Sequence, residues 1–198
     1  MKNLKVVFFG TPDFAKESLA AIHQSNHQVV GVVTVADKPS GRGQKLTESP
    51  VKKYAVENNL TVFQPEKLRN PEFLEQIRNL DADVFVVVAF RMMPKILFEM
   101  PKIGTFNLHA SLLPDYRGAA PINFAIINGE EKTGATTFFI NEKIDEGNIL
   151  LQEELPISPD ENAGSLHDRL MEMGAKLVVK TLDGLAENSI TEQPQPQV

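Results

Sequence analysis

Three short apolar runs constrain the fold more than any other feature of this chain: Lys5 to Phe9, Val29 to Val35 and Val84 to Ala89. Each is rich in β-branched or aromatic residues, and none alternates apolar with polar side chains. A strand wetted on one face alternates, whereas a strand that is apolar throughout needs cover on both. Such strands belong to a parallel sheet between two layers of helices, with Val84 to Ala89 at its centre. Between the first two runs, Thr11-Pro12 opens a helical pattern carrying Phe14, Leu19 and Ile22. This makes a βαβ unit with Thr11 as N-cap, Pro12 as first helical residue and Gly10 at the strand-to-helix turn. Ser49-Pro50 and Asn70-Pro71 repeat the punctuation. Further along, the pattern predicts a helix from Pro121 to Asn128 and strands near Thr136 to Ile140 and Ile149 to Leu155. A long helix follows, capped by Asn162 or Ser165, carrying Leu166, Leu170, Met173, Leu177, Val178 and Leu182, and ending at Gly184. The reading is α/β: an open, mostly parallel sheet with helices on both faces.

A length of 198 residues suits one core better than two. The unit is expected over residues 1–190, with the Gln/Pro-rich stretch 191–198 as a linker or truncated end. No apolar run is long enough to cross a bilayer, and the first one lacks a signal-peptide cleavage pattern. The chain has no Cys, which removes disulfides, thiolate chemistry and cysteine metal sites. A cytoplasmic protein with no membrane contact is expected. His23 and His27 lie four apart, but Asn26 and the strand at Val29 end the helix between them, so no metal is expected. Gly10-Thr-Pro-Asp-Phe14 has one glycine where a dinucleotide fingerprint needs three, and no acidic residue clearly ends the second strand, although Asp37 sits close.

The net charge of −6 argues against a nucleic-acid grip over most of the surface. Locally the balance reverses: Lys38, Arg42, Lys45, Lys52 and Lys53 face only Glu48 in a loop with Gly41 and Gly43. That loop is either a solvated surface or a contact for a polyanion.

The richest chemistry lies in Asn107-Leu-His-Ala-Ser-Leu-Leu-Pro-Asp-Tyr-Arg-Gly118. In an extended segment Asn107 and His109 leave the same face and can converge on one atom. An amide donor beside an imidazole suits the stabilisation of an oxyanion, as in acyl or formyl transfer, although a satisfied polar pair is the commoner meaning of Asn-x-His. Transfer to an amine also needs a proton route. Asp145, in Asn141-Glu-Lys-Ile-Asp-Glu-Gly147 after an apolar strand, is the candidate; alone it would be an ordinary turn residue.

Taken in order, Asn107-x-His109, Ser111-Leu-Leu-Pro-x-Tyr-Arg-Gly118 and the Thr133-Gly134-Ala135-Thr136 strand leading to Asp145 resemble the folate-dependent formyltransferase family. Phe8-Phe-Gly-Thr-Pro-Asp-Phe14, Asp37-Lys-Pro-Ser-Gly-Arg-Gly-Gln-Lys45, Ser49-Pro50-Val-Lys and Phe63-Gln-Pro65 are similar to signatures of members that formylate a charged initiator tRNA. The resemblance implies a Rossmann-like catalytic domain over 1–190, without the carboxyl-terminal barrel that such members carry. It implies 10-formyltetrahydrofolate as co-substrate, initiator methionyl-tRNA as partner, and translation initiation as the process served; a monomer is expected.

By the same resemblance Asn107, His109 and Asp145 are catalytic, with Asp145 keeping His109 in its charged form. Phe90, Arg91 and Met92, Ser111, Leu112, Leu113 and Pro114, and Asn141 are the residues expected at the folate. Lys38, Arg42 and Lys45 are expected at the tRNA. Ala89-Phe-Arg-Met-Met-Pro94 departs from the family, where a Tyr-Gly pair is common. A sugar-amine formyltransferase, a formyl-folate hydrolase and a noncatalytic ligand-binding module are the competing readings.

Overall fold

The computed structural model describes residues 2–197. A seven-stranded sheet runs in the order β5-β2-β1-β6-β7-β8-β9. Its strands are β1 (Lys5–Gly10), β2 (Gln28–Val33), β5 (Val62–Phe63), β6 (Val84–Val88), β7 (Gly104–His109), β8 (Lys132–Phe139) and β9 (Ile149–Pro156). The first five in sheet order pair in parallel, and β8 and β9 add an antiparallel edge. The run expected at the centre is β6, the fourth of the seven.

Its uninterrupted apolarity has the expected cause. Val84, Val86 and Val88 face one core with Val6 and Phe8 of β1, under α1 (Asp13–His23), α2 (Pro50–Glu57) and α6 (Ala163–Ala186). Phe85 and Val87 face the other with Val7 and Phe9, under α3 (Pro71–Asn79) and α4 (Lys95–Phe98). Each strand alternates, but between two cores, so no polar residue appears in the run.

The helix starts divide into two kinds. Ser49, Asn70 and Asn162 accept hydrogen bonds from the backbone N–H of Lys52, Phe73 and Ser165, and Asn162 forms a reciprocal capping box with Ser165. Each such cap contributes about 1 kcal/mol. The first helix differs from expectation. It begins at Asp13 with Pro12 in the cap position and no side-chain cap, so Thr11 does not cap it. Gly10 is required for proximity rather than for turn geometry, because an added Cβ would lie 2.6 Å from Ala15 Cβ and 2.8 Å from the Val88 carbonyl. The last helix runs through Gly184 to Ala186, since that glycine keeps helical hydrogen bonding and gives room to Ile190.

The basic segment is a hairpin, β3 (Lys38–Ser40) with β4 (Lys45–Thr47), not an irregular loop. Residues 191–197 lie against the body. Gln193 exchanges backbone hydrogen bonds with Ile149, and Asn148 Nδ2 donates to Glu192. No helix among the described residues is long and apolar enough to cross a membrane.

Candidate active site

The parallel strands β1, β6 and β7 end together, and two clefts open beyond their carboxyl ends, where open α/β sheets bind ligands. The larger, about 750 Å³, has Val87, Met93, Phe98, Phe138 and Ile140 among its apolar lining. The smaller, about 470 Å³, is bounded by Phe14, the Gly118–Asn123 segment leading into α5 (Pro121–Ile127), and His167. Phe90, Asn107 and Asp145 line both clefts. These three residues form a wall common to both.

Asn107 and His109 end β7, separated by Leu108, which belongs to the core. The Asn107 Oδ1 atom is buried and has no hydrogen-bond partner among the described residues. An orphaned buried acceptor costs about 1–3 kcal/mol, a loss tolerated chiefly where a ligand completes the bonding. His109 is held from one side: its Nε2–H donates to the Tyr116 carbonyl at 2.8 Å. The Tyr116 ring fixes that carbonyl in turn, since its hydroxyl donates to Glu130 at 2.6 Å and accepts from Asn128. The Glu130 bond raises the Tyr116 pKa above its ordinary value, with the nearby carboxylate charges acting in the same direction and the Asn128 bond opposing it. The other ring nitrogen, Nδ1, lies 3.7 Å from Asp145 Oδ2. That is ion-pair range and too long for a hydrogen bond, so Nδ1 is the nitrogen left for a substrate oxygen.

Asp145 sits in the turn between β8 and β9 with φ of 54°, a left-handed conformation uncommon outside glycine. Its Oδ2 accepts the Gly118 N–H at 2.7 Å, and its carbonyl accepts from Arg117 Nε at 3.2 Å and Gln195 Nε2 at 2.8 Å. The carboxylate is thereby tied to the loop that also carries Tyr116. One amide donor, one imidazole and one carboxylate converge, as oxyanion stabilisation and proton transfer require.

The residues expected at the folate separate into two groups. Phe90, Arg91, Met92 and Asn141 line the larger cleft. The Arg91 guanidinium turns onto the Pro65 and Glu66 carbonyls and stacks 5.3 Å from the Phe90 ring centroid, and desolvation there lowers its pKa. The segment 90–94 has no regular secondary structure, so its main-chain groups are not consumed by a ladder. Ser111, Leu112, Leu113 and Pro114 are elsewhere and line neither cleft. Ser111 is buried and bonds the Asp115 carbonyl, Leu112 packs on Gly134, and Leu113 lies between Thr136 and Gln152 beside a cis Leu113–Pro114 bond. This stretch is tied to β8 and β9 through the Thr136 and Gln152 side chains.

Lys38, Arg42 and Lys45 are all exposed on the β3–β4 hairpin. Asp37, near the second strand, is engaged by Lys52 Nζ at 2.5 Å and Gln64 Nε2 at 2.7 Å, which leaves it no role as a ribose acceptor. Sequence reasoning missed Phe14 and His167 as walls of the smaller cleft, Lys67 and Arg69 beside the larger one, and Gln195 behind Asp145. Only spatial proximity reveals them.

Asn107, His109 and Asp145 stand in cleft walls at the carboxyl edge of a mostly parallel sheet, and comparison with known proteins identifies the family. A family model described as formyl transferase matches residues 4–182, and the chain belongs to that family. It is 56% identical over 190 residues to the methionyl-tRNA formyltransferase of Flavobacterium johnsoniae, covering 96% of this chain and 60% of that protein. It is 49% identical over 197 residues to the methionyl-tRNA formyltransferase of Bacteroides fragilis, covering 100% of this chain and 61% of that protein. The chain thus spans about 60% of the length of these curated relatives. An N-formyltransferase from Helicobacter canadensis, solved with folinic acid and dTDP-3-aminofucose, superposes with a TM-score of 0.75 at 26% identity, over 98% of this chain and 68% of that one. Glycinamide ribonucleotide transformylase 1 of Symbiobacterium toebii shares the fold, with a TM-score of 0.80 at 15% identity over 98% of this chain and 95% of that one.

Proposed function

We propose that this chain transfers the formyl group of 10-formyltetrahydrofolate to the α-amino group of initiator methionyl-tRNA, as a cytoplasmic, monomeric enzyme of translation initiation. The observation that carries this reading is the shared wall: Asn107 and Asp145 line both clefts, which separates a donor side from an acceptor side across the reacting groups. The relatives at 56% and 49% identity support methionyl-tRNA as the acceptor.

The larger cleft suits the donor. Its apolar floor matches a flat ring system, and the unladdered main chain at Phe90, Arg91 and Met92, with Asn141, offers donors and acceptors for a ring edge. The folate supplies an activated formyl group; the chain supplies the rest. The Asn107 amide N–H and His109 Nδ1–H donate to the formyl oxygen as negative charge develops there. The opposite face of the imidazole is fixed by Tyr116, so the ring need not reorient during the reaction. Asp145 Oδ2 is committed to Gly118, leaving Oδ1 to take the proton released by the attacking amine and pass it to the folate nitrogen as the bond from that nitrogen to the formyl carbon breaks. Exposed Lys38, Arg42 and Lys45 provide the cations for the tRNA backbone.

The test is transfer of labelled formyl from 10-formyltetrahydrofolate to charged initiator methionyl-tRNA at low salt and high protein concentration. Transfer that disappears with Asn107→Ala is the expected result. Folate binding without transfer to tRNA, together with transfer to a sugar amine, would overturn the acceptor.

A further inference from the structure

We infer that Gln195, in the Gln/Pro-rich stretch after α6, is a positioning residue that sets the Asp145 turn for formyl transfer. The inference rests on the catalytic reading of Asp145 given above. Among residues 191–197 only Gln195 is half-buried; its neighbours are exposed. Every hydrogen-bonding position of its amide is used. Nε2 donates to the Asp145 and Gly147 carbonyls, each at 2.8 Å. Oε1 accepts from Arg117 Nε at 3.2 Å and Nη2 at 2.8 Å. Two carbonyls on one side and a guanidinium on the other fix which end of the amide is nitrogen.

The amide therefore joins the two loops that control His109. One carries Asp145, whose carboxylate faces Nδ1; the other carries Arg117, next to the Tyr116 carbonyl that holds Nε2. Among the described residues, the other hydrogen bonds between these loops are Gly118 N–H to Asp145 Oδ2 and Arg117 Nε to the Asp145 carbonyl. Asp145 stands at positive φ, so its turn needs outside support to keep one conformation. Gln195 gives that support at the carbonyl of the catalytic residue itself. The strap is anchored upstream by the Gln193–Ile149 backbone pair at the start of β9.

Two variants separate positioning from bulk packing. Gln195→Ala removes the whole network. Gln195→Glu keeps the size and the acceptor face toward Arg117 but loses both donated bonds and sets a carboxylate against two carbonyls. In both, exchange of the Gly118 amide should quicken by about tenfold or more while the global unfolding midpoint stays within a few degrees. Turnover should fall about tenfold with KM for either substrate within about twofold, since a small misplacement of a reacting group costs rate before affinity. In an Asp145→Asn background neither variant should cost anything further.

Unchanged Gly118 exchange and turnover in both variants, a loss carried by KM, or losses that add to that of Asp145→Asn would each overturn the positioning role. Full turnover in Asp145→Asn alone would instead overturn the functional reading, and the positioning role with it. An inactive Asp145→Asn beside fully active Gln195 variants would overturn the positioning role only.

Discussion

Two excursions leave the sheet on this chain, and they are built in opposite ways. The β3–β4 hairpin carries Lys38, Arg42 and Lys45 into solvent, with Leu46 also exposed, and a Cβ added at its tip glycines Gly41 or Gly43 would meet nothing within 4 Å. The turn from Ile140 to Asn148 carries Asp145 and is bonded to Gly118, Arg117 and Gln195. At Gly147 it passes so close to β8 that an added Cβ would overlap the Phe139 carbonyl oxygen. A surface that meets a flexible polyanion needs charge and reach, which a projecting hairpin supplies. A carboxylate that must meet one proton needs a fixed position, which only a network supplies. The comparison therefore predicts that damage to the two excursions will be read by different assays.

The largest effect is expected where the fixed turn meets β7. Asn107→Ala removes the amide in the shared wall and should lower turnover on the order of 100-fold to 1,000-fold. Folate affinity measured by equilibrium binding should change little, and a variant that keeps wild-type turnover would remove Asn107 from the chemistry. Next comes the turn itself. Gly147→Ala forces the backbone away from Phe139 and should destabilise the fold by about 1–3 kcal/mol, the usual range for overpacking, while also lowering turnover. Urea unfolding that shows no destabilisation would mean that the turn yields freely, contrary to the tied picture.

The hairpin should respond in the opposite sense. Arg42→Ala lies away from both clefts, so turnover at saturating tRNA and thermal stability should hold. The KM for methionyl-tRNA should rise by roughly threefold to tenfold, and the salt dependence of binding should become shallower by about one phosphate contact. An unchanged KM would weaken the tRNA reading and leave the hairpin as solvated surface.

The same contrast explains what could be read from the sequence. Strand composition fixed the sheet because helices on both faces leave an unmistakable signature, seen in Val84 to Val88. Asn107 and His109 were legible because a strand imposes a period of two. Ser111 to Pro114 were expected at the folate from the resemblance alone, and they line neither cleft. The Leu113 backbone N–H donates to the Thr136 hydroxyl and the Leu113 carbonyl accepts from the Gln152 side chain, ties that a local pattern cannot reveal. Thr11 had the chemistry of a cap, but the helix starts after Pro12, and tertiary packing at Gly10 decided the entry. Gln195 was the least visible of all, because Gln and Pro without apolar partners read as a tether, and its role depends on loops 48 and 78 residues distant.

The smallest expected effect concerns the base of the hairpin, the one place where it too is fixed. Lys52 is the main cause of a lowered Asp37 pKa, and the Gln64 hydrogen bond adds to it. A carboxyl whose folded pKa is depressed contributes its stabilisation above its unfolded pKa, and loses it as the pH falls through the folded value. The tether should therefore be intact from neutral pH down to the ordinary aspartate range and released only below it. A single half-buried ion pair contributes little to global stability, so the informative measurement is local: hydrogen exchange across residues 35–40 as a function of pH. Asp37→Asn should show the loosened pattern already at neutral pH, and wild type should converge on it only in acid. If the two differ in acid or match at neutral pH, the Lys52 tether does not hold the hairpin base. The hairpin base would then be held by uncharged contacts, among them the Thr34–Ser49 hydroxyl pair, buried at 2.7 Å beside the start of α2, and the Gln64 Nε2 bond to the Val35 carbonyl.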